Sequence, residues 1–495
     1  MTNLSKISYK IFYCLFIPFL LWIFVLNLRV DFTANPYIIL FFSFIVISFL
    51  LIKNFFLNND FSINKSNRYS GLIELELWLL LFIVVTIIGL LLRVTPSWDY
   101  DAVHRYSLEW TKKGSIENIS YFARYPNNNL VLLITTFFYK IINFFLPNSS
   151  EELFIKYSIV FNSILVTSSI YFTSQSAKVL YGNRFKYISI AFLIFFTPTL
   201  FYTEIFYTDT LGLFLVSVIS YILVITLKNF NLKHSILLGI IFAFGFKIKA
   251  FIIIILIACI IVLFLKEKLK ILEKFLLIFL LITTFFCSNL LLSTTMDKII
   301  GIDEELYYEF QFPTSHWIMM SLNPEYEGGF NQDDYAETRD TNGKENKKKL
   351  INKKIEARVD NFGIDGLLKH GFLTKMKRTW TVGSMATDDY ASRQNIHNTF
   401  LQDFIIIKGK KHHIYYFWSQ ATHLFLIFLI LLSGLLSFIK RKNEIDLFNI
   451  SILGLILFLI IWECNSRYLF SFIPLFLLAS QYPLSTNIVQ HKRKI

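Results

Sequence analysis

The sequence predicts an all-α polytopic membrane protein, a bundle of about twelve transmembrane helices with a polar juxtamembrane loop and one larger segment on the outer side. Three observations carry this. Of the 495 residues, 55% are hydrophobic and 17% are charged. Apolar runs of roughly 20 residues recur along the chain, the length a helix needs to cross a bilayer. Lys and Arg collect in short stretches between those runs, a pattern that sets membrane topology and does not point to nucleic acid.

The elements follow in order. The first apolar run, 9–28, comes after Lys6 and Lys10 and has no small-residue cleavage site, so it reads as a retained span that starts in the cytoplasm. A short turn at 31–36 lies outside, 37–57 returns to a basic inner loop with Lys53, Lys65 and Arg68, and 77–92 exits again. The first outer loop is then 94–129. If the next apolar stretch, 130–146, spanned the membrane, Lys178, Arg184, Lys186, Lys228 and Lys233 would all fall outside. The positive-inside rule therefore favours a juxtamembrane helix there. Spans follow at 153–175, 187–202 and 210–227. The block 235–265 is too long for one helix and breaks at Gly245 to Lys249, giving two short spans, with Lys266, Lys268 and Lys270 inside. After the span at 271–292, residues 296–415 form the one large soluble segment, placed outside. The last spans are 416–438, 447–462 and 468–483, with Lys440, Arg441, Lys442 and the basic tail inside. Three parts result: a catalytic membrane module (1–295), an extracytoplasmic segment (296–415) and a C-terminal membrane part (416–495). Cys14, Cys259, Cys287 and Cys464 lie in or beside apolar runs without metal spacing and read as small packing residues.

The densest chemistry lies in S-W-D-Y-D-A-V-H-R-Y and the R-Y-P-N-N-N that follows. Asp99 and Asp101 form a D-x-D pair, the kind that holds a metal and a nucleotide diphosphate in soluble sugar transferases. Facing away from the cytoplasm, this pair would meet no nucleotide sugar, so the donor would be lipid-linked. Solvated acids at a helix end are the plainer reading.

Asp101-Ala102-Val103-His104-Arg105-Tyr106 resembles the D-E-x-[HR]-[FY] stretch of polyprenyl-phosphate-dependent glycosyltransferases of the GT-C type, a group that includes protein O-mannosyltransferases and aminoarabinose transferases. Arg124-Tyr125-Pro126-Asn127-Asn128 resembles their H-P-P-L element. Tyr207-Thr208-Asp209 resembles an aspartate opening a later span, and Gly245-Phe246-Lys247 resembles a short-helix break. Ala102 stands where the family has a second acid, which leaves any divalent metal open unless Asp99 or Glu204 substitutes.

The resemblance implies a GT-C-like bundle that moves a sugar from a polyprenyl phosphate, such as undecaprenyl phosphate, to an extracytoplasmic glycan, teichoic acid or protein, inverting the anomeric centre. Asp101, with Asp99 beside it, is the expected base. Arg124, Lys247 and Arg467 are the expected cations for the departing phosphate. Glu204 and Asp209 form a candidate second acid shell, with helix-cap roles as the alternative. His104, Tyr125, Asn127, His316 and Trp317 are candidate sugar or acceptor contacts; for Trp317 a structural interface role is equally open. Lys247 and Lys249 interrupt an apolar block, and Lys247 is the one expected to be functional, Lys249 being free to snorkel. Glu463 and Arg467 are one helical turn apart, so a local ion pair competes with a ligand contact. Lys344 to Lys354 reads as a solvated face. A transporter or flippase of lipid-linked glycans is the rival from another class, since it would explain charges at mid-membrane. A polymerase or ligase with a longer donor is a nearer alternative.

Overall fold

The computed structural model describes residues 3–29, 36–58, 70–266, 269–393, 399–440 and 443–485. Residues 31–35 of the expected outer turn, Lys65, Arg68, Lys268, Arg441, Lys442 and the tail beyond 485 lie outside the described residues. Among those described, the protein is all-α with no strand.

The membrane part begins with α1 (Asn3–Asn27), α2 (Pro36–Asn58) and α3 (Ser70–Leu92). A polar insertion follows, made of α4 (Trp98–Lys113), α5 (Ser120–Arg124) and α6 (Asn129–Phe145). Then come α7 (Glu151–Tyr181), α8 (Asn183–Phe195), the short α9 (Pro198–Phe201), α10 (Thr208–Lys228), α11 (Leu232–Ile248), α12 (Ile253–Leu265) and α13 (Ile271–Ile300). The intervening segment holds α14 (Glu304–Phe310), α15 (Ser315–Ser321), α16 (Gln332–Asp340), α17 (Lys344–Lys369), α18 (Met376–Trp380), α19 (Thr387–Ala391) and α20 (Gln402–Ile405). The chain closes with α21 (His412–Ile439), α22 (Asn443–Ile461) and α23 (Ile473–Ser480).

The long helices run between two chemically different ends. At one end Lys186 pairs with Glu74, and other lysines bind carbonyls in the last turns of neighbouring helices: Lys228 reaches Val179 O, Lys266 donates to Leu227 O at 3.0 Å, and Lys274 donates to Phe264 O at 2.9 Å. These carbonyls have no intrahelical partner, and a cation there also suits the negative end of the helix dipole. The turns that read as topology signals therefore also cap helices. The other end gathers Asp99, Asp209, Lys249 and Arg467, and it carries the intervening segment.

Nine helices among the described residues are long and apolar enough to cross a membrane, or ten if the bent pair Asn183–Phe195 and Pro198–Glu204 counts as one span. The expected count of about twelve is not reached on this measure. The block 235–265 does break near Lys249, as expected, but its halves are short. At about 1.5 Å per residue, α11 and α12 rise roughly 26 and 20 Å, below the ~30 Å of a hydrocarbon core. The second expected span has full helical length, α2 running Pro36–Asn58, although only Pro36–Leu51 of it enters that measure.

The stretch expected at the interface, α6, passes the same measure of length and apolarity. Its packing is nonetheless that of an amphipathic helix. It lies along the charged α4, with Lys140 Nζ 5.3 Å from the Trp110 ring centroid and His104 Nδ1 2.7 Å from Tyr139 Oη. Its opposite face exposes Phe137, Phe144 and Phe145. A helix with one face on a charged neighbour and bare phenylalanines on the other fits the boundary between water and lipid. Elsewhere the bundle meets lipid broadly: α3 and α13 leave most of their apolar side chains uncovered by protein. Gly239 lets α11 touch α13, since a Cβ there would collide with Thr284 Oγ1.

The intervening segment is anchored at several points. Trp317 stacks on Trp462 at 5.5 Å, Tyr307 Oη donates to Asp297 Oδ1 at 2.6 Å, and Cys464 N donates to Gly328 O at 2.8 Å. Lys375 donates to Ser321 Oγ and to the carbonyls of Ile460 and Trp462 at the end of α22. Inside the segment Asp334 takes both terminal nitrogens of Arg358, at 2.9 and 2.7 Å, plus Lys354 at 3.2 Å. These cations hold its carboxyl below the usual range against the opposing effect of burial.

Candidate functional site

The site is built where helix ends and breaks converge. Asp99 lies in the first turn of α4, Tyr121 on α5, Asn128 in the short 3-10 turn Pro126–Asn128, and Tyr207 just before α10. They form a chain: Tyr207 Oη donates to Asn128 Oδ1 at 2.7 Å, Asn128 Nδ2 donates to Tyr121 Oη at 2.9 Å, and Tyr121 Oη donates to Asp99 Oδ1 at 2.7 Å. The segment carrying Tyr207 is fixed from behind by Asn162, whose Nδ2 contacts the carbonyls of Tyr202, Thr203 and Ile205 at 3.0, 2.8 and 2.9 Å.

Beneath this chain lies an ion pair. Lys249 Nζ donates to Asp209 Oδ1 at 2.6 Å, with side-chain exposures of 6% and 0%. Helix geometry explains the meeting. Asp209 sits in the first turn of α10, where a carboxylate suits the helix dipole. Lys249 is the extended residue at the α11 break, so its side chain leaves the helix surface. Gly212 makes the space, because a Cβ there would sit 2.5 Å from Ser471 Oγ and 3.5 Å from Lys249 Cδ.

Arg467 closes the group. It donates to Tyr390 Oη, and its guanidinium carbon lies 5.6 Å from the Tyr468 ring centroid. Its Nε is buried with no hydrogen-bond partner, and among the described residues it forms no ion pair with a carboxylate. Tyr390 packs edge-on against Trp98 at 5.6 Å. Trp98, Met385 and Ala386 all have positive φ (52°, 49° and 64°), so strained backbone borders Tyr390. Glu463 is buried, 3.4 Å from Tyr468 Oη. Burial lifts its carboxyl from 4.5 to about 7; Asp99 pushes it the same way and Arg467 opposes.

The sign of that shift gives a prediction. Between pH 4.5 and 7 the folded protein holds a proton at Glu463 that the unfolded chain has released. Stability therefore falls as pH rises through this window, with the loss complete above pH 7. A thermal midpoint in detergent should drop across this window in wild type, and the drop should be shallower in Glu463→Gln. Equal slopes would mean that Glu463 titrates normally.

The expected site residues separate into distinct surroundings. Asp99, Asp209 and Arg467 come together. Asp101 does not join them: it pairs with Arg105 on the side of α4, Oδ2 to Nε 2.8 Å. Residues two apart on a helix point to nearly opposite sides, so a D-x-D in α4 cannot act as one claw. Among the described residues no three His, Cys, Asp or Glu side chains gather as a metal seat. Glu204 is buried apart from Asp209, with both carboxyl oxygens unpartnered. Lys247 turns to Ser293 on α13, whereas Arg124 stacks over Phe312 at 5.8 Å. The three expected phosphate cations thus occupy three different places.

The expected sugar contacts divide likewise. His104 is a buried strut, held by Tyr139 and, at 3.3 Å, by Glu151 Oε1. His316 is buried on Thr338 Oγ1 at 2.9 Å, and burial brings its pKa down to about 4. Tyr125 packs on Phe312 at 5.5 Å, and Asn127 Nδ2 donates to Asn128 Oδ1 at 3.1 Å. Glu463 and Arg467 form no local ion pair; each turns to a tyrosine instead. Lys249, passed over for Lys247, is the lysine at the site. Tyr390 was not foreseen: nothing in D-D-Y-A-S-R distinguishes it, and only the fold brings it to Arg467.

A family model described as conserved hypothetical integral membrane protein matches residues 1–488. The chain belongs to that family. No curated protein matches it. Membership agrees with the bilayer-spanning architecture, and the chemistry has to be argued from the polar group itself.

Proposed function

We propose that the protein is a membrane glycosyltransferase that takes a sugar from a polyprenyl phosphate and places it on an extracytoplasmic acceptor, a glycan, teichoic acid or protein. The observation that carries this reading is the half-buried Arg467, whose Nε has no hydrogen-bond partner and which, among the described residues, bonds directly to no carboxylate, together with the Asp99 chain. A phosphate would offer that guanidinium the bidentate acceptor that its unpartnered Nε lacks. Asp99 takes the role first expected of Asp101. The acceptor hydroxyl oxygen bonds to the anomeric carbon, and its proton passes to Asp99. The bond from that carbon to the phosphate oxygen breaks, and the phosphate leaves with the electron pair, stabilised by Arg467. One displacement inverts the anomeric centre. Lys249 positions Asp209 and the start of α10, and Tyr121 orients Asp99.

The test is purified protein in nanodiscs with radiolabelled polyprenyl-phosphate sugars and wall-polymer or peptide acceptors. Transfer from any of these donors supports the reading. Absence of transfer together with movement of lipid-linked glycan across proteoliposomes would establish the transporter instead, a reading favoured by the buried Lys249–Asp209 pair at a broken helix.

The reading also needs the site end outside, as the basic turns at the opposite end imply. In a cysteine-free variant, single cysteines at the exposed Ser115 and Asn352 should react with an impermeant thiol reagent on intact cells, and one at the exposed Asn183 should not. The reverse pattern would place the site in the cytoplasm and remove the case for a lipid donor.

A further inference from the structure

One stretch of the intervening segment turns back against the membrane helices. α17 kinks at Gly363 (φ 57°, ψ −178°), a backbone shape close to glycine-only. A π-helical turn, His370–Lys375, follows the end of α17. The ring of Phe362 packs on His370 at 4.8 Å, and His370 Nε2 lies 2.9 Å from Ser321 O, which fixes the turn from the protein side. The other side is bare and apolar. Ile364 is 79% exposed and Leu368 52%, and Phe372 and Leu373 are exposed as well. Ile364 and Leu368 are four apart and share one helix face, which Asp365 and Lys369 border.

The height of this stripe follows from its contacts. Trp22 Nε1 donates to Phe372 O at 2.6 Å, and the Phe372 ring meets Phe19 at 5.8 Å. Trp22 and Phe19 lie short of the end of α1 at Asn27 by about 7.5 and 12 Å along the axis. Asn27 Nδ2 donates to Trp380 O at 3.0 Å, so the chain climbs toward the end of α1 as it runs from Phe372 to Trp380. On the other flank a Cβ at Gly371 would lie 3.2 Å from Ile460 Cγ2, level with the last turn of α22. Leu21 of α1 and Ile461 of α22, near this height, are themselves exposed. Leu368 and Phe372 therefore extend a surface that two membrane helices already present to lipid.

We propose that 364–373 is a membrane-dipping wedge, an apolar stripe seated in the outer leaflet beside the ends of α1 and α22. An amphipathic helix at the head-group boundary sits about 5–10 Å deep, which matches the level set by Trp22. Lys369 and Lys377 flank the stripe and are exposed, and their stems are long enough to keep the amines among lipid phosphates. From Gly366 to Arg378 the chain carries Lys369, Lys375, Lys377 and Arg378 and no acid. A second copy of the chain fits less well, because a stable dimer needs about 800 Å² per partner, far more than these four apolar side chains offer. The intervening segment, read from the sequence as soluble, thus has a foot in the bilayer. That foot holds the site at a fixed height over the membrane, whichever chemistry the site performs.

The test uses full-length, cysteine-free protein in phosphatidylcholine nanodiscs. Ile364→Cys, Leu368→Cys and, as the water-side control, Asn352→Cys each carry one nitrobenzoxadiazole label. Lipids with a nitroxide high on the acyl chain should quench the labels at 364 and 368 at least about twofold more than the label at 352, and more than lipids with the nitroxide near the chain end do. Aqueous iodide should show the opposite preference and reach 352 best. All three positions are exposed, and gel filtration with an unchanged thermal midpoint checks that labelling leaves the fold intact. Iodide quenching at 364 and 368 equal to that at 352 overturns the wedge. Shielding of both positions from iodide and from lipid nitroxide also overturns it, and gives the stripe to protein, a second copy of the chain.

Discussion

Asp99→Asn is expected to lower sugar transfer by at least about 10²-fold, while Asp101→Asn stays within a few-fold of wild type. Both substitutions keep size and most hydrogen bonding, so the contrast isolates proton acceptance. The difference comes from where each carboxylate points. Asp99 accepts from Tyr121 at the head of a chain that reaches Tyr207, whereas Asp101 is held by Arg105 on another side of the same helix. Turnover should be measured with saturating donor on protein that elutes as a single folded species. A mild effect at Asp99 with a severe one at Asp101 would return the base to Asp101. Mild effects at both would leave the site without a base and favour transport.

The largest loss of stability is expected from Asp209→Ala. Removing the carboxylate leaves Lys249 buried and unpaired, a change that typically costs about 3–5 kcal/mol. The drop should appear as a lower unfolding midpoint in detergent and reduced yield. Lys249→Met in the same chain should recover much of it, because a pair of apolar residues leaves no isolated charge. If Asp209→Ala proved as stable as wild type, the pair would not be a closed, dry contact. If the double variant recovered stability but not transfer, Lys249 and Asp209 would matter for positioning beyond their stability.

Much of this architecture was legible in the chain because helix length, apolarity and basic turns are local properties. The break in 235–265 is there, and so are the basic turns at the end away from the site. The places where expectation and geometry part share a local origin. Within D-Y-D, as within K-I-K at Lys247 to Lys249, two like residues stand two apart, and only one of each pair faces the site. Choosing correctly requires knowing where the helix starts or stops. Asp99 is in the opening turn of α4, and α11 ends at Ile248, releasing Lys249. Glu463 and Arg467 mislead in another way. Their spacing suits an ion pair in a continuous helix, but α22 ends at Ile461 and a 3-10 turn begins at Ser466, so the chain between them is not helical. Tyr390 meets Arg467 from 77 residues away, a separation no local pattern encodes.

The contacts of Lys375 bear on how the protein is made. Its amine closes the end of α22 only after the chain has emerged beyond residue 462, while its other partner, Ser321, is already in place. Arg467 and Ser471 follow within ten residues, after α22. A nascent chain that has inserted α10 and α11 holds Asp209 and Lys249 but lacks both the Ser471 contact on the Asp209 carbonyl and the guanidinium. Under the proposed function, a chain that stops in α21 would lack the phosphate seat however well its earlier helices had inserted. Lys375 shares this fastening with the Trp317–Trp462 stack and the Cys464–Gly328 hydrogen bond, so the outer segment and the end of α22 lock together at several points.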